Sequence, residues 1–173
     1  MSGIFNVIIR ATALLWTLLI TALIGNVIAS NVNASSSAMA AINFTMFVAA
    51  LSWVVSLYGL ASAVITSLGR AIIMLPMDIL AVLFTFIDAI VLSAKLRAPN
   101  CGNINVSSFP GDWIAYGSDD TEKRCREIQA STVFMWFLFA SFSAALFFTV
   151  KESRSGLGGS IRTGRPNMSQ VGV

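Results

Sequence analysis

The sequence predicts an all-α membrane protein: a bundle of four transmembrane helices with one extracellular loop pinned by a disulfide. Three observations carry that expectation. Of 173 residues, 56% are hydrophobic and only 11% are charged, more apolar surface than a soluble core of this size can bury. Four apolar runs are each long enough to cross a hydrocarbon core of about 30 Å at about 1.5 Å per residue. Both cysteines, Cys101 and Cys125, fall in the one long polar stretch between two such runs.

The same composition narrows the chemistry. There is no histidine, which removes His-based zinc and haem sites and Ser-His-Asp triads together. The net charge of +3 is small, and its basic residues stand in ones and twos without interleaved aromatics, so nucleic acid is not an expected partner. No cofactor is expected either. Residues 1–150 read as one four-span unit, with spans at about 4–29, 39–66, 71–97 and 128–150, and residues 151–173 as a tail.

The first span, Ile4 to Ala29, is interrupted by Arg10. Val27-Ile28-Ala29 resembles a cleavage site, but the apolar run is too long for a signal peptide and no cation precedes it, so the segment is expected to be retained. Asn6, Arg10, Thr17 and Thr21 lie within about 60° on a helical wheel and form a polar stripe that should turn inward. The alternative for Arg10 is snorkelling to the headgroups.

A short uncharged turn, NVNASSS, leads into the second span. There Thr45, Ala49, Ser52, Ser56, Gly59, Ala63 and Thr66 recur at alternating steps of four and three, a seam of small residues of the kind that lets helices pack closely in lipid. The third span carries Asp78 and Asp88, each too costly to ionise against lipid, by about 2.5–3.5 kcal/mol on the lenient insertion scale. Asp78, Ala81, Thr85 and Asp88 share one stripe at heptad spacing, which should face protein. Pro76 removes one backbone donor from the same helix and should kink it locally.

Residues 98–127 read as the only sizeable loop, with Trp113 and Tyr116 as interfacial aromatics. Asn105-Val106-Ser107 is a glycosylation sequon there. Cys101 and Cys125 would be bridged if this loop faces an oxidising compartment, the alternative being two free thiols. Lysine and arginine counts do not fix the orientation. A disulfide in the loop would place it outside and both termini in the cytoplasm. The aromatics of the fourth span, Phe134 to Phe148, are expected in lipid and helix contacts. The Gly/Ser-rich tail is expected not to order itself.

With that topology, Arg10 and Asp78 both lie about 9–11 Å into the membrane from the cytoplasmic end, each on its own helix's polar stripe. They are expected to form an intramembrane ion pair, with Asp88 as a second intramembrane acid.

The run FTF from Phe84 to Phe86, LRAPNC from Leu96 to Cys101, RCREIQAS from Arg124 to Ser131 and SQVGV from Ser169 to Val173 resemble the fungal non-classical-export branch of the MARVEL-domain proteins. Asp88 has no place in that pattern. The resemblance implies a plasma membrane protein of eisosome-type furrow domains that responds to sphingolipid. It implies sphingolipid and sterol as lipid partners, and a homo-oligomer or lattice with other plasma membrane proteins. Two functions are then in view. One is a non-enzymatic scaffold acting by lateral lipid binding and self-association. The other is a small proton-coupled transporter or channel using Asp78 and Asp88. Against the second, the chain lacks the internal repeat common in transporters and has a single four-helix unit.

Overall fold

The computed structural model describes residues 2–64, 71–97, 100–103 and 109–162, with side chains over 4–62, 73–97, 100–103 and 109–151. It contains four helices: α1 (Ser2–Ala29), α2 (Ser36–Val64), α3 (Ala71–Leu96) and α4 (Thr121–Arg162). There is no strand among the described residues. All four are long and apolar enough to span a membrane.

The helices form a ring in chain order. α1 packs on α2 and α4, and α3 packs on α2 and α4. α1 and α3 face each other only across the interior. The buried positions explain the arrangement. α1 buries Arg10, Ala13, Thr17, Ile20, Ile24 and Val27, and α3 buries Met74, Asp78, Ala81, Thr85, Asp88 and Leu92. Both sets alternate steps of three and four, the period of helices that pack along a left-handed seam. The outward faces carry Phe5, Leu15, Phe47, Val54, Leu83 and Phe147, all exposed on the protein surface and suited to lipid.

Aromatic contacts tie neighbouring helices. Trp16 of α1 stacks on Phe134 of α4 with ring centroids 5.6 Å apart, and Phe86 of α3 meets Phe139 of α4 at 5.2 Å. Phe142 is fully buried, whereas Trp136 and Phe137 are exposed. α3 runs unbroken across Pro76, whose ring lies on the exposed side.

α4 differs from the sequence expectation at both ends. It begins at Thr121 rather than near residue 128, which shortens the long loop from 98–127 to 97–120. The cause is local: the Asp120 carboxylate accepts from the Lys123 amide at 2.9 Å, the side-chain cap that a helix start requires. The charged run TEKRCRE looked like loop because it is polar, yet Arg124 and Cys125 are buried against the bundle. At the other end the helix continues to Arg162, twelve residues past the expected end of the span at Val150 and into the tail expected not to order itself; residues 163–173 lie outside the described residues. α2 starts earlier than expected, at Ser36, where Ser35 Oγ accepts from the Ala38 amide at 3.3 Å.

The loop between α3 and α4 is a compact cap. Cys101 and Cys125 form a disulfide, with Cα atoms 5.7 Å apart. Trp113, expected at the membrane interface, is instead buried. Its indole N–H donates to the Leu96 carbonyl at 3.0 Å, and Phe109 stacks on it at 4.2 Å. That contact satisfies both the indole donor and one of the orphan carbonyls at the end of α3. Gly117 adopts φ +104°, and a β-carbon there would run into the Ala34 backbone. This close approach lets its carbonyl accept from the amides of Val32 and Asn33, at 2.7 and 3.3 Å, so the long loop and the α1–α2 turn are joined.

Candidate functional site

The interior of the bundle holds a polar node to which every helix contributes. Arg10 projects from α1 across the interior and its Nη2 donates to both Asp78 oxygens of α3, at 3.0 and 2.8 Å. Thr149 of α4 donates to Asp78 Oδ2 at 2.9 Å. From α2, Gly59 supplies the space: a β-carbon there would collide with Arg10 Cδ, Nε and Nη1. Arg10 and Asp78 are no more than 1% exposed, so Arg10 does not snorkel to the surface.

A charge pair at this depth is stable only if both partners stay together. Desolvation of each ion is large, and the Coulomb and hydrogen-bond gains offset it when the geometry is good. Around the pair the hydrogen bonding is incomplete. Among the described residues, Arg10 Nε and Nη1, Ser56 Oγ and Asn6 Oδ1 are buried without a hydrogen-bond partner. Asn6 lies one turn before Arg10 on α1 and Ser56 nearly one turn before Gly59 on the antiparallel α2.

Asp88 lies ten residues beyond Asp78, about 15 Å along the helix. It is fully buried. Its Oδ1 is hydrogen-bonded with Thr45 Oγ1 at 2.9 Å, and its Oδ2 has no partner among the described residues. The two aspartates therefore cannot share a proton or a water as a catalytic dyad does. Among the described residues no group of His, Cys, Asp and Glu could hold a metal ion.

The small-residue seam divides. Ala49, Ser52, Ser56 and Gly59 are buried, while the side chain of Ala63 lies outside the described residues. Gly59 admits a guanidinium rather than a helix backbone, and Ser52 donates to the Val48 carbonyl of its own helix at 2.8 Å. The sequon at Asn105 lies outside the described residues.

A second basic residue organises the opposite end. Arg124 is buried, and its guanidinium reaches the carbonyls of Ile114, Val27 and Gly117 and the side chain of Asn31, at 3.3 to 3.5 Å. It ties the start of α4 to the end of α1 and to the loop. Beside it is a cleft of about 320 Å³, lined by Asn31, Ser118, Asp120, Lys123 and Glu127 among others. Sequence reasoning used Arg124 only as part of a family pattern and missed its burial. It also missed Thr149, although Phe142, Ala145 and Thr149 continue the four-three spacing of the buried face of α4.

Comparison with known proteins places this architecture. Residues 3–148 match the MARVEL membrane-associating domain. The chain is 31% identical over 149 residues to non-classical export protein 2 of Saccharomyces cerevisiae, covering 84% of this chain and 83% of that protein. It is 38% identical over 92 residues to non-classical export protein 102 of Candida albicans, 50% of this chain and 51% of that one. No solved structure matches it.

Proposed function

Because the chain belongs to the MARVEL membrane-associating family, among the fungal non-classical export proteins, we propose that it is a non-enzymatic scaffold of the plasma membrane. In this reading it organises eisosome-type furrow domains and responds to sphingolipid by binding lipids laterally and associating with its own kind and with other plasma membrane proteins. Sphingolipid and sterol are its lipid partners. Both termini are cytoplasmic and the disulfide-bearing loop is outside, since disulfides persist in oxidising compartments.

The observation that carries the reading is the distribution of polarity. The charged side chains Arg10, Asp78 and Asp88 turn inward together with Thr17, Thr45, Ser52 and Thr85, and a broad apolar surface is left for lipid and neighbouring subunits. The extramembrane part between α3 and α4 is a short cap around Trp113 rather than a domain able to house a soluble active site. A density map of the protein in native lipid tests the scaffold directly. Repeating lateral contacts between subunits, with ordered lipid between them, are the expected result. Isolated monomers, together with proton flux through reconstituted liposomes, would replace the scaffold with a transporter.

A further inference from the structure

Two buried aspartates on one helix meet the same kind of partner and differ in what else they meet. Thr149 Oγ1 lies 2.9 Å from Asp78 Oδ2 and 3.0 Å from its own helix's Ala145 carbonyl. Thr45 Oγ1 lies 2.9 Å from Asp88 Oδ1 and 3.1 Å from the Ala41 carbonyl. A threonine hydroxyl has one hydrogen, so in each case it can serve only one of two acceptors. At Asp78 the shortage is harmless, because Arg10 already donates to both carboxylate oxygens. At Asp88 no cation is present among the described residues.

The absence of a counter-charge at Asp88 extends to every helix of the ring. On α1 the only charged side chain is Arg10, committed to Asp78. On α2 the one ionisable group is Tyr58, thirteen residues from Thr45, and on α4 none lies between Glu127 and Lys151. On α3 itself the nearest besides Asp78 is Lys95, two turns away, with Asp112 3.9 Å from its Nζ. An ionised Asp88 would therefore be a bare charge with one hydroxyl donor and one orphan oxygen in the membrane interior. With a proton on Oδ1 the count closes. The carboxyl O–H donates to Thr45 Oγ1, Thr45 donates to the Ala41 carbonyl, and the remaining oxygen is a neutral carbonyl.

We propose that Asp88 is a proton-binding site inside the bundle, neutral at neutral pH, and that release of this proton to water loosens the contact between α2 and α3. Thr45 and Asp88 bridge that contact directly. The site is independent of the scaffold reading. Ionisation would leave a charge with nothing to pair with, and the least costly response is to part the two helices and admit water. Folding then takes up a proton that the unfolded chain has already released at neutral pH, so bundle stability falls as pH rises.

Infrared spectroscopy of the protein in lipid nanodiscs tests the assignment. At neutral pH one protonated-carboxyl C=O band is expected, shifted to lower frequency by 13C at the aspartate carboxyl and lost in Asp88→Asn. No such band at neutral pH, or one that survives in Asp88→Asn, overturns it. The amide matches the carboxyl in shape and can still donate to Thr45, so this variant should fold. If it does not, the band of the labelled wild-type chain, followed to alkaline pH, gives the answer alone. For the coupling, the thermal midpoint of the wild type is expected to drop between neutral and alkaline pH by more than that of Asp88→Asn. Parallel midpoints in the two proteins overturn it.

Discussion

The guanidinium of Arg10 occupies the volume that a β-carbon at Gly59 would need. The intramembrane ion pair between α1 and α3 thus depends on a missing side chain in a third helix. Gly59→Ala is expected to push Arg10 off Asp78 at a cost of about 1–3 kcal/mol, the range of overpacking. In a background where Arg10 and Asp78 are both leucine, the same replacement should cost less. Thermal unfolding in detergent reads the difference, and equal costs in both backgrounds would mean that Gly59 acts apart from the pair.

Arg10 and Asp78 should be strongly coupled. Replacing either by leucine leaves a buried charge alone and is expected to cost about 3–5 kcal/mol, whereas replacing both should cost less than the worse single change. A double-mutant cycle measures the coupling. Additive losses would show that each charge is stabilised by something other than its partner.

Thr149 offers a milder probe of the same node. Its hydroxyl donates to Asp78 but carries no charge, so Thr149→Val should cost about 1.5–3 kcal/mol, the range for a hydrogen bond to a charged group. Stability unchanged by this substitution would mean that Arg10 alone satisfies the carboxylate.

Reduction of Cys101–Cys125 should destabilise the cap. The bridge spans 24 positions in sequence, for which the chain-entropy model gives about 3–4 kcal/mol. Intact-mass spectrometry of the loop peptide should find it two hydrogens lighter than its reduced form. Free thiols at both positions in the purified protein would remove the bridge and the orientation built on it.

Arg124→Leu should open the cap without touching the disulfide. It strips a donor from the carbonyls of Ile114, Val27 and Gly117, and a buried acceptor left unsatisfied costs about 1–3 kcal/mol. Hydrogen exchange should quicken at Val32 and Asn33, whose amides bond to the Gly117 carbonyl. Unchanged protection there would confine Arg124 to a local role in α4.

How much of this was legible in the sequence depended on the kind of signal. The inward stripes of α1 and α3 could be read because lipid tolerates no exposed charge, so Arg10, Asp78 and Asp88 had to face protein. Periodicity did the rest. The start of α4 was hidden because TEKRCRE sits where the chain leaves the apolar layer, where polarity no longer separates helix from loop. Trp113 was misplaced for a related reason. An indole near a membrane surface fits the interfacial belt by composition, and only the tertiary contact with the Leu96 carbonyl brings it into the core. Gly59 was seen as part of a seam, but which neighbour uses the space of a small residue is not written in the helix that carries it.

The chain closes its two ends by different means. At the loop end every helix is linked to a neighbour covalently, through the α1–α2 turn, the α3–α4 loop and the Cys101–Cys125 bridge. At the other end α2 and α3 are consecutive in the chain, while α1 and α4 meet this pair as separate strands of the polypeptide. The contacts of Asp78 with Arg10 and Thr149 act there as a non-covalent clasp, holding the first and last helices to the third. Any separation of α1 or α4 from α3 at the end bearing the termini must therefore undo that clasp.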